Sequence, residues 1–157
     1  MLGQKQLPVL NTREESPIWF LGLPTLIRAT TESTHGSFCL VEHLTVPAGF
    51  ASPYHMHHLE DEAFYILEGN VSFVCDGKWF NAGAGGYLSL PRETPHGFKV
   101  EDPSPARMLI LCAPGGFDRF VLELSEPVDG VAPDIEKLIR AAAKYKIDIL
   151  GPLSERQ

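Results

Sequence analysis

The sequence predicts an all-β fold, a sandwich or barrel of short strands, with one amphipathic helix near its C-terminal end. Three observations carry this. Short apolar runs rich in β-branched and aromatic residues recur from residue 18 to residue 113. Fourteen Gly and thirteen Pro punctuate a chain of 157 residues, as frequent turns require. A three- to four-residue apolar period appears clearly only after Pro133. The length suits one domain with short arms, and 44% hydrophobic residues suffice for a core.

Residues 1–17 read as a polar arm ended by Pro17, 18–125 as the barrel and 126–157 as a helical tail. "IWFLGLPTLIRAT" (18–30) reads as two strands about a Gly22–Pro24 break. "FCLVEHLTV" (38–46) is a strand closed by the turn "PAGFASP". "AFYILEG" (63–69) is another, and Gly69–Asn70 predicts a hairpin into "VSFVC". Asp76–Gly77 is a second hairpin signal, before "KWFNAG". "GYLSLP", "HGFKV" and "ARMLILCA" complete the strands, and "PGGFDRFVLELS" (114–125) is a candidate short helix. In the tail, Ile135, Leu138, Ile139, Ala142 and Tyr145 form one apolar face of a helix packed outside the barrel. Pro133 and Asp134 suit its start, Lys144 and Lys146 its end, and Gly151–Pro152 stops it.

The formal net charge is −7 and no Lys or Arg run stands out. Phosphate backbones and anionic membrane surfaces both demand a basic face, so neither is an expected partner. Cys39, Cys75 and Cys112 are isolated in apolar stretches and read as buried free thiols. Charged residues interrupt the N-terminal segment and no stretch is long enough to span a bilayer, so a soluble, cytoplasmic protein is expected.

"YHMHHLEDEAF" (54–64) concentrates the chemistry. His55 and His57 share a face of an extended strand. Glu62, five residues on, begins a new strand and points inward with Phe64 and Ile66. Neutral imidazoles with one carboxylate suit a divalent first-row metal, and His96, after a Pro-bounded turn, supplies a fourth ligand. An H-x-H pair alone is weak evidence; the four residues with glycines and prolines at set offsets are far more specific. His58 is out of register, Glu60 and Asp61 read as solvated charges, and His35 and His43 have no such context. Along 38–46, parity groups Phe38, Leu40, Glu42, Leu44 and Val46 as the inward face, with Cys39, Val41, His43 and Thr45 outward. Glu42 would then orient a ligating His or meet substrate, the alternative being a register shift or a salt bridge at the mouth. Phe64, Phe73 and Phe98 share inward parity and would form an aromatic pocket or plain core.

The run "GFASPYHMHHLEDEAFYILEG" resembles the first motif of the cupin family, with Gly49, His55, His57, Glu62 and Gly69 in place. "GGYLSLPRETPH" resembles the second, with Gly85, Pro91 and His96 matching. Glu93 stands where the family has Gly, and Val100 where it often has Asn; a turn needing φ > 0 would strain Glu93. The resemblance implies a double-stranded β-helix, the small cupin jelly-roll barrel. It also implies one divalent transition metal (Fe, Mn, Ni, Co or Zn) held by His55, His57, Glu62 and His96, with open coordination positions, and a homodimer. Trp19, Phe20 and the tail helix are candidate dimer contacts. The longer order of motifs resembles single-domain bacterial cupins related to quercetinase, which open a flavonol ring with dioxygen.

Three functions follow from such a site. A metal-dependent dioxygenase would act on a small aromatic or enolisable substrate, with Glu62 as ligand and catalytic base. A non-redox isomerase or lyase would use the metal as a Lewis acid. A binding module would use the pocket without chemistry.

Overall fold

The computed structural model describes residues 8–12 and 15–153, so 1–7, 13 and 14 of the predicted arm and 154–157 of the tail lie outside the described residues. The strands are β1 (Ile18–Phe20), β2 (Leu23–Ala29), β3 (Cys39–Val46), β4 (Pro53–His57), β5 (Asp61–Glu68), β6 (Asn70–Cys75), β7 (Lys78–Gly83), β8 (Tyr87–Leu90), β9 (His96–Val100) and β10 (Ala106–Ala113). They are followed by α1 (Phe117–Leu124), β11 (Ser125–Glu126), α2 (Ile135–Lys144) and β12 (Ile147–Pro152). Two antiparallel sheets face each other, in the orders β11-β1-β2-β3-β10-β5-β8 and β12-β4-β9-β6-β7.

Period-two alternation builds the core between them. On β5, Glu62, Phe64 and Ile66 are buried while Asp61 and Tyr65 are exposed. On β10, Ala106, Met108, Ile110 and Cys112 are buried. Leu21 (φ 50) and Gly22 (φ 79) make the β1–β2 turn, and Asp76 (φ 47) and Gly77 (φ 74) the β6–β7 turn. Two successive positive φ values are what a tight hairpin with right-twisted strands needs. Cys39 and Cys112 are buried free thiols directly opposite each other on β3 and β10, and Cys75 is a half-buried one.

The Gly69–Asn70 hairpin is not formed. β5 pairs with β10 and β8, whereas β6 pairs with β7 and β9 in the other sheet. The chain crosses between sheets here, with Gly69 at φ 86. A Cβ on Gly69 would lie 2.5 Å from the Pro105 carbonyl oxygen and 2.8 Å from Ala106 Cα. Glycine thus serves a close backbone approach at this position rather than a two-residue turn.

The strand 38–46 faces opposite to its expected parity. Cys39, Val41 and His43 point inward, and Glu42 points away from the inter-sheet core. The even positions look more apolar because that outer face is itself covered. Arg28 Nε reaches Glu42 Oε2 at 2.7 Å, and Arg107 Nε reaches Oε1 at 2.8 Å. Glu42 is only 3% exposed, yet it lies between two guanidinium groups. A register shift opposite Arg107 pairs Ala106 with Val46 but Met108 with His43, so Val46 returns to the core. This bulge makes the even parity misleading.

The helix expected after Pro133 is α2, capped by Asp134 Oδ1, which accepts from Lys137 N at 3.0 Å. Its buried residues are Leu138, Ala141 and Ala142, while Ile135 and Ile139 remain exposed. The tail does not end there: β12 adds to the five-stranded sheet beside β4. The candidate helix at 114–125 is α1. Among the described residues, no helix is long and apolar enough to cross a membrane.

Candidate metal centre and its cavity

β4 places His55 and His57 one pleat apart on the same face, and β9 begins with His96, the Cα partner of His55. Glu62 comes from β5 in the opposite sheet. These four residues present ligand atoms that all lie within 4.8 Å of one another. His57, Glu62 and His96 are buried and His55 is half-buried.

Each imidazole is turned by a bond at its far nitrogen. His55 Nδ1 donates to the Pro53 carbonyl at 2.7 Å, and His96 Nδ1 donates to the Thr94 carbonyl at 2.9 Å. His57 Nδ1 donates to Glu60 Oε1 at 2.7 Å. All three rings therefore aim Nε2 inward, the tautomer and orientation that metal-binding histidines adopt. His96 Nε2 lies 2.7 Å from Glu62 Oε2. His57 Nε2 is 3.3 Å from the same oxygen, yet it is buried without a hydrogen-bond partner, since the contact has ion-pair distance but not hydrogen-bond alignment. A cation fits this donor set: an orphaned imidazole nitrogen, two further Nε2 atoms and a carboxylate converge in a buried space.

The electrostatics agree. Burial opposes charge on Glu62, but His57 and His96 outweigh it and hold the carboxyl well below the usual carboxylate range. Burial also opposes charge on His57, while Glu62 and Glu60 on its two sides raise it to about 10. Burial, with His96 and His57 nearby, pushes His55 down to about 3. The pocket thus keeps positive charge next to Glu62, the place a metal ion would fill.

A cavity of about 60 Å³ opens onto this cluster. Its walls are mostly apolar: Phe20, Phe64, Phe98, Ile110 and Phe117 among them, with Leu138 of α2 and Ile147 and Ile149 of β12 at its edge. Phe117 packs edge-on against His57, ring centroids 5.4 Å apart. Helix α2 and strand β12, both from the tail, therefore help close the site.

Phe64 and Phe98 line the cavity, as their parity predicts. Phe73 does not; it is fully buried behind them, 4.9 Å from Phe64 between ring centroids. Phe38 precedes β3, is half-buried and is not part of the wall, and Glu42 points away from it; both follow from the reversed parity. His58 faces outward as expected, bonded to Glu93 Oε2 and Asp148 Oδ2 at 2.8 Å each. Asp61 is exposed and pairs with Arg92. Glu60 corrects the sequence reading: it is 4% exposed and anchors His57. Its spacing, three residues after His57, was the available signal. Glu93 has φ 62, the left-handed turn the motif requires. His43, which no sequence motif marks, lines the cavity, as does Phe20.

A cupin domain model matches residues 42–112. Quercetin 2,3-dioxygenase of Bacillus subtilis (strain 168) is 31% identical over 104 residues, which cover 66% of this chain and 30% of that protein. The chain thus spans less than a third of that relative's length. Among solved structures, KdgF from Halomonas sp. superposes with a TM-score of 0.63 at 19% identity, covering 72% of this chain and 99% of that one. The polyketide cyclase RemF from Streptomyces resistomycificus gives 0.59 at 20% identity, covering 85% and 92%. At these identities the two structures show the shared fold.

Proposed function

The chain belongs to the cupin family through residues 42–112, and from that premise we propose that it is a metal-dependent dioxygenase acting on a compact aromatic or enolisable molecule. The observation that carries this is the convergence of three Nε2 atoms and the Glu62 carboxylate at the floor of an apolar cavity. Identity to a quercetin dioxygenase supports the choice of reaction.

His55, His57, Glu62 and His96 would hold one divalent metal (Fe, Mn, Ni, Co or Zn). When bound, such an ion would supply Lewis acidity toward a substrate hydroxyl and, where it is redox-active, chemistry toward dioxygen. The chain's own residues do the rest. The apolar walls exclude water and hold a planar ring. Glu62 meets both imidazoles through Oε2, which leaves Oε1 for the substrate proton. A carboxylate that also holds a metal ion would be a weak base. The proton it takes must come from an acidic hydroxyl, an enol or a phenol rather than a simple alcohol. The cavity, about 60 Å³, is small beside the ~300–1,000 Å³ of common ligand pockets. Any aromatic substrate would therefore require α2 and β12 to move outward, a flavonol further than a single ring.

The test is elemental analysis of protein purified without chelator or a metal-affinity tag, then oxygen uptake with catechols, small enols and flavonols. Near-stoichiometric redox metal with uptake, abolished by Glu62→Gln in a folded protein, is the expected result. No metal after incubation with these ions overturns the site. Zinc with no uptake replaces the dioxygenase by an isomerase or lyase, and full turnover by Glu62→Gln removes its role as base.

A further inference from the structure

Thr25 and His43 face each other as Cα partners on β2 and β3, and both are buried. The single hydroxyl proton of Thr25 goes to the Leu23 carbonyl at 2.9 Å. Thr25 Oγ1 therefore accepts from His43 Nδ1–H, also at 2.9 Å. A neutral imidazole carries one N–H, so fixing it on Nδ1 leaves Nε2 as a bare acceptor. Burial keeps the ring neutral, lowering its pKa to about 4 against the opposing field of Glu62. Phe20 stacks on the ring, with centroids 6.1 Å apart and planes 5° from parallel. His43 is thus held in both tautomer and plane.

His43 lines the same cavity as His57 and Glu62, and no described residue hydrogen-bonds to its Nε2. The other walls here are largely hydrocarbon and aromatic, where an imidazole carries a desolvation cost that Leu or Phe would avoid. An oriented acceptor in an otherwise apolar wall is what a site uses to fix a ligand's orientation.

We propose that His43 Nε2 accepts a hydrogen bond from a substrate hydroxyl distinct from the oxygen that reacts beside Glu62. The site then selects compact planar molecules with two oxygens, aromatic diols and enediols, of which the second must be a free hydroxyl. This rests on the preceding reading of the His55–His57–Glu62–His96 cluster as the reaction centre and adds the feature that chooses its substrate. Because Nε2 accepts and cannot donate, an ether or a carbonyl at that position meets a lone pair. His43 is a specificity residue, with Thr25 as its positioning partner.

The probes are 4-nitrocatechol and its monomethyl ether, 2-methoxy-4-nitrophenol, titrated by visible absorbance against the metal-loaded chain. The readout is the ratio of the two affinities. His43→Phe, which keeps a ring against Phe20, is expected to lower that ratio about tenfold or more, the effect of one buried hydrogen bond left unmade. His43→Gln, whose amide oxygen can accept from nearly the same place, is expected to restore part of it. Thr25→Val frees the Nδ1 proton and is expected to lower the ratio as well, which preserves the test if His43→Phe does not fold. A ratio changed by threefold or less in the folded variants overturns the proposal. Metal content and oxygen uptake are measured on the same samples, separately from the affinity ratio that is the readout. A chain that takes no metal defeats the dioxygenase reading, while the ratio is still obtained by NMR with the same two probes. Oxygen uptake with diols alongside an unmoved ratio defeats this inference alone.

Discussion

Replacing His43 with Phe removes a buried imidazole whose pKa is about 4 in the fold, against 6.5 when free. Between these values the unfolded chain binds a proton that the folded chain refuses. The His43 contribution to stability therefore rises with pH through that window and is level above it. The separation is worth roughly 3 kcal/mol, lost as the pH falls from about 6.5 to about 4. His55, pushed down to about 3, adds a loss of the same sign, so the wild-type profile alone does not isolate His43. The difference between wild type and His43→Phe does. At about 2–4 °C per kcal/mol for a domain of this size, wild type should lose ~6–12 °C more in Tm than the variant between pH 7 and pH 4. Thermal melts in the presence of a chelator, at half-unit pH steps, measure this directly. Parallel profiles would mean that His43 protonates as readily in the fold as in the open chain. That would refute its enclosure between Thr25, Phe20 and the cavity.

Two further substitutions separate the anchor of the metal centre from the charge cluster outside the core. Glu60→Gln replaces the carboxylate that receives His57 Nδ1–H, and should weaken metal affinity by about 10- to 100-fold in competition with a chromophoric chelator; unchanged affinity would show that His57 needs no such anchor. Glu42→Gln leaves Arg28 without its counter-charge and Arg107 with only the exposed Glu68, and should lower the unfolding free energy by about 2 kcal/mol in a denaturant titration, with metal affinity unchanged, both arginines keeping some contact with water. A loss of metal affinity would instead couple Glu42 to the cavity.

His55, His57, Glu62 and His96 were legible because they are tied to the chain by short-range geometry. The pleat sets two histidines on one face, a turn separates them from a strand that begins near Glu62, and a Pro-bounded turn delivers His96. The strand pattern and the capped helix after Asp134 were legible for the same reason, since period and turn chemistry are local. The orientation of β3 was not. Its outward face is the more apolar of the two, and a bulge that shifts parity depends on what lies across the sheet. That one reversal exchanged Glu42 for His43 in the cavity wall. Glu60 looked like a solvated loop charge, and only the position of His57 in a buried site gives it a partner. The crossing at Gly69 likewise depends on Pro105 and Ala106, far along the chain. Sequence by itself determined the fold class and the four-residue cluster, which local periodicity encodes. Tertiary structure decided which way β3 faces, what orients each imidazole and what closes the cavity, because those depend on contacts between residues distant in sequence, and no local pattern records them.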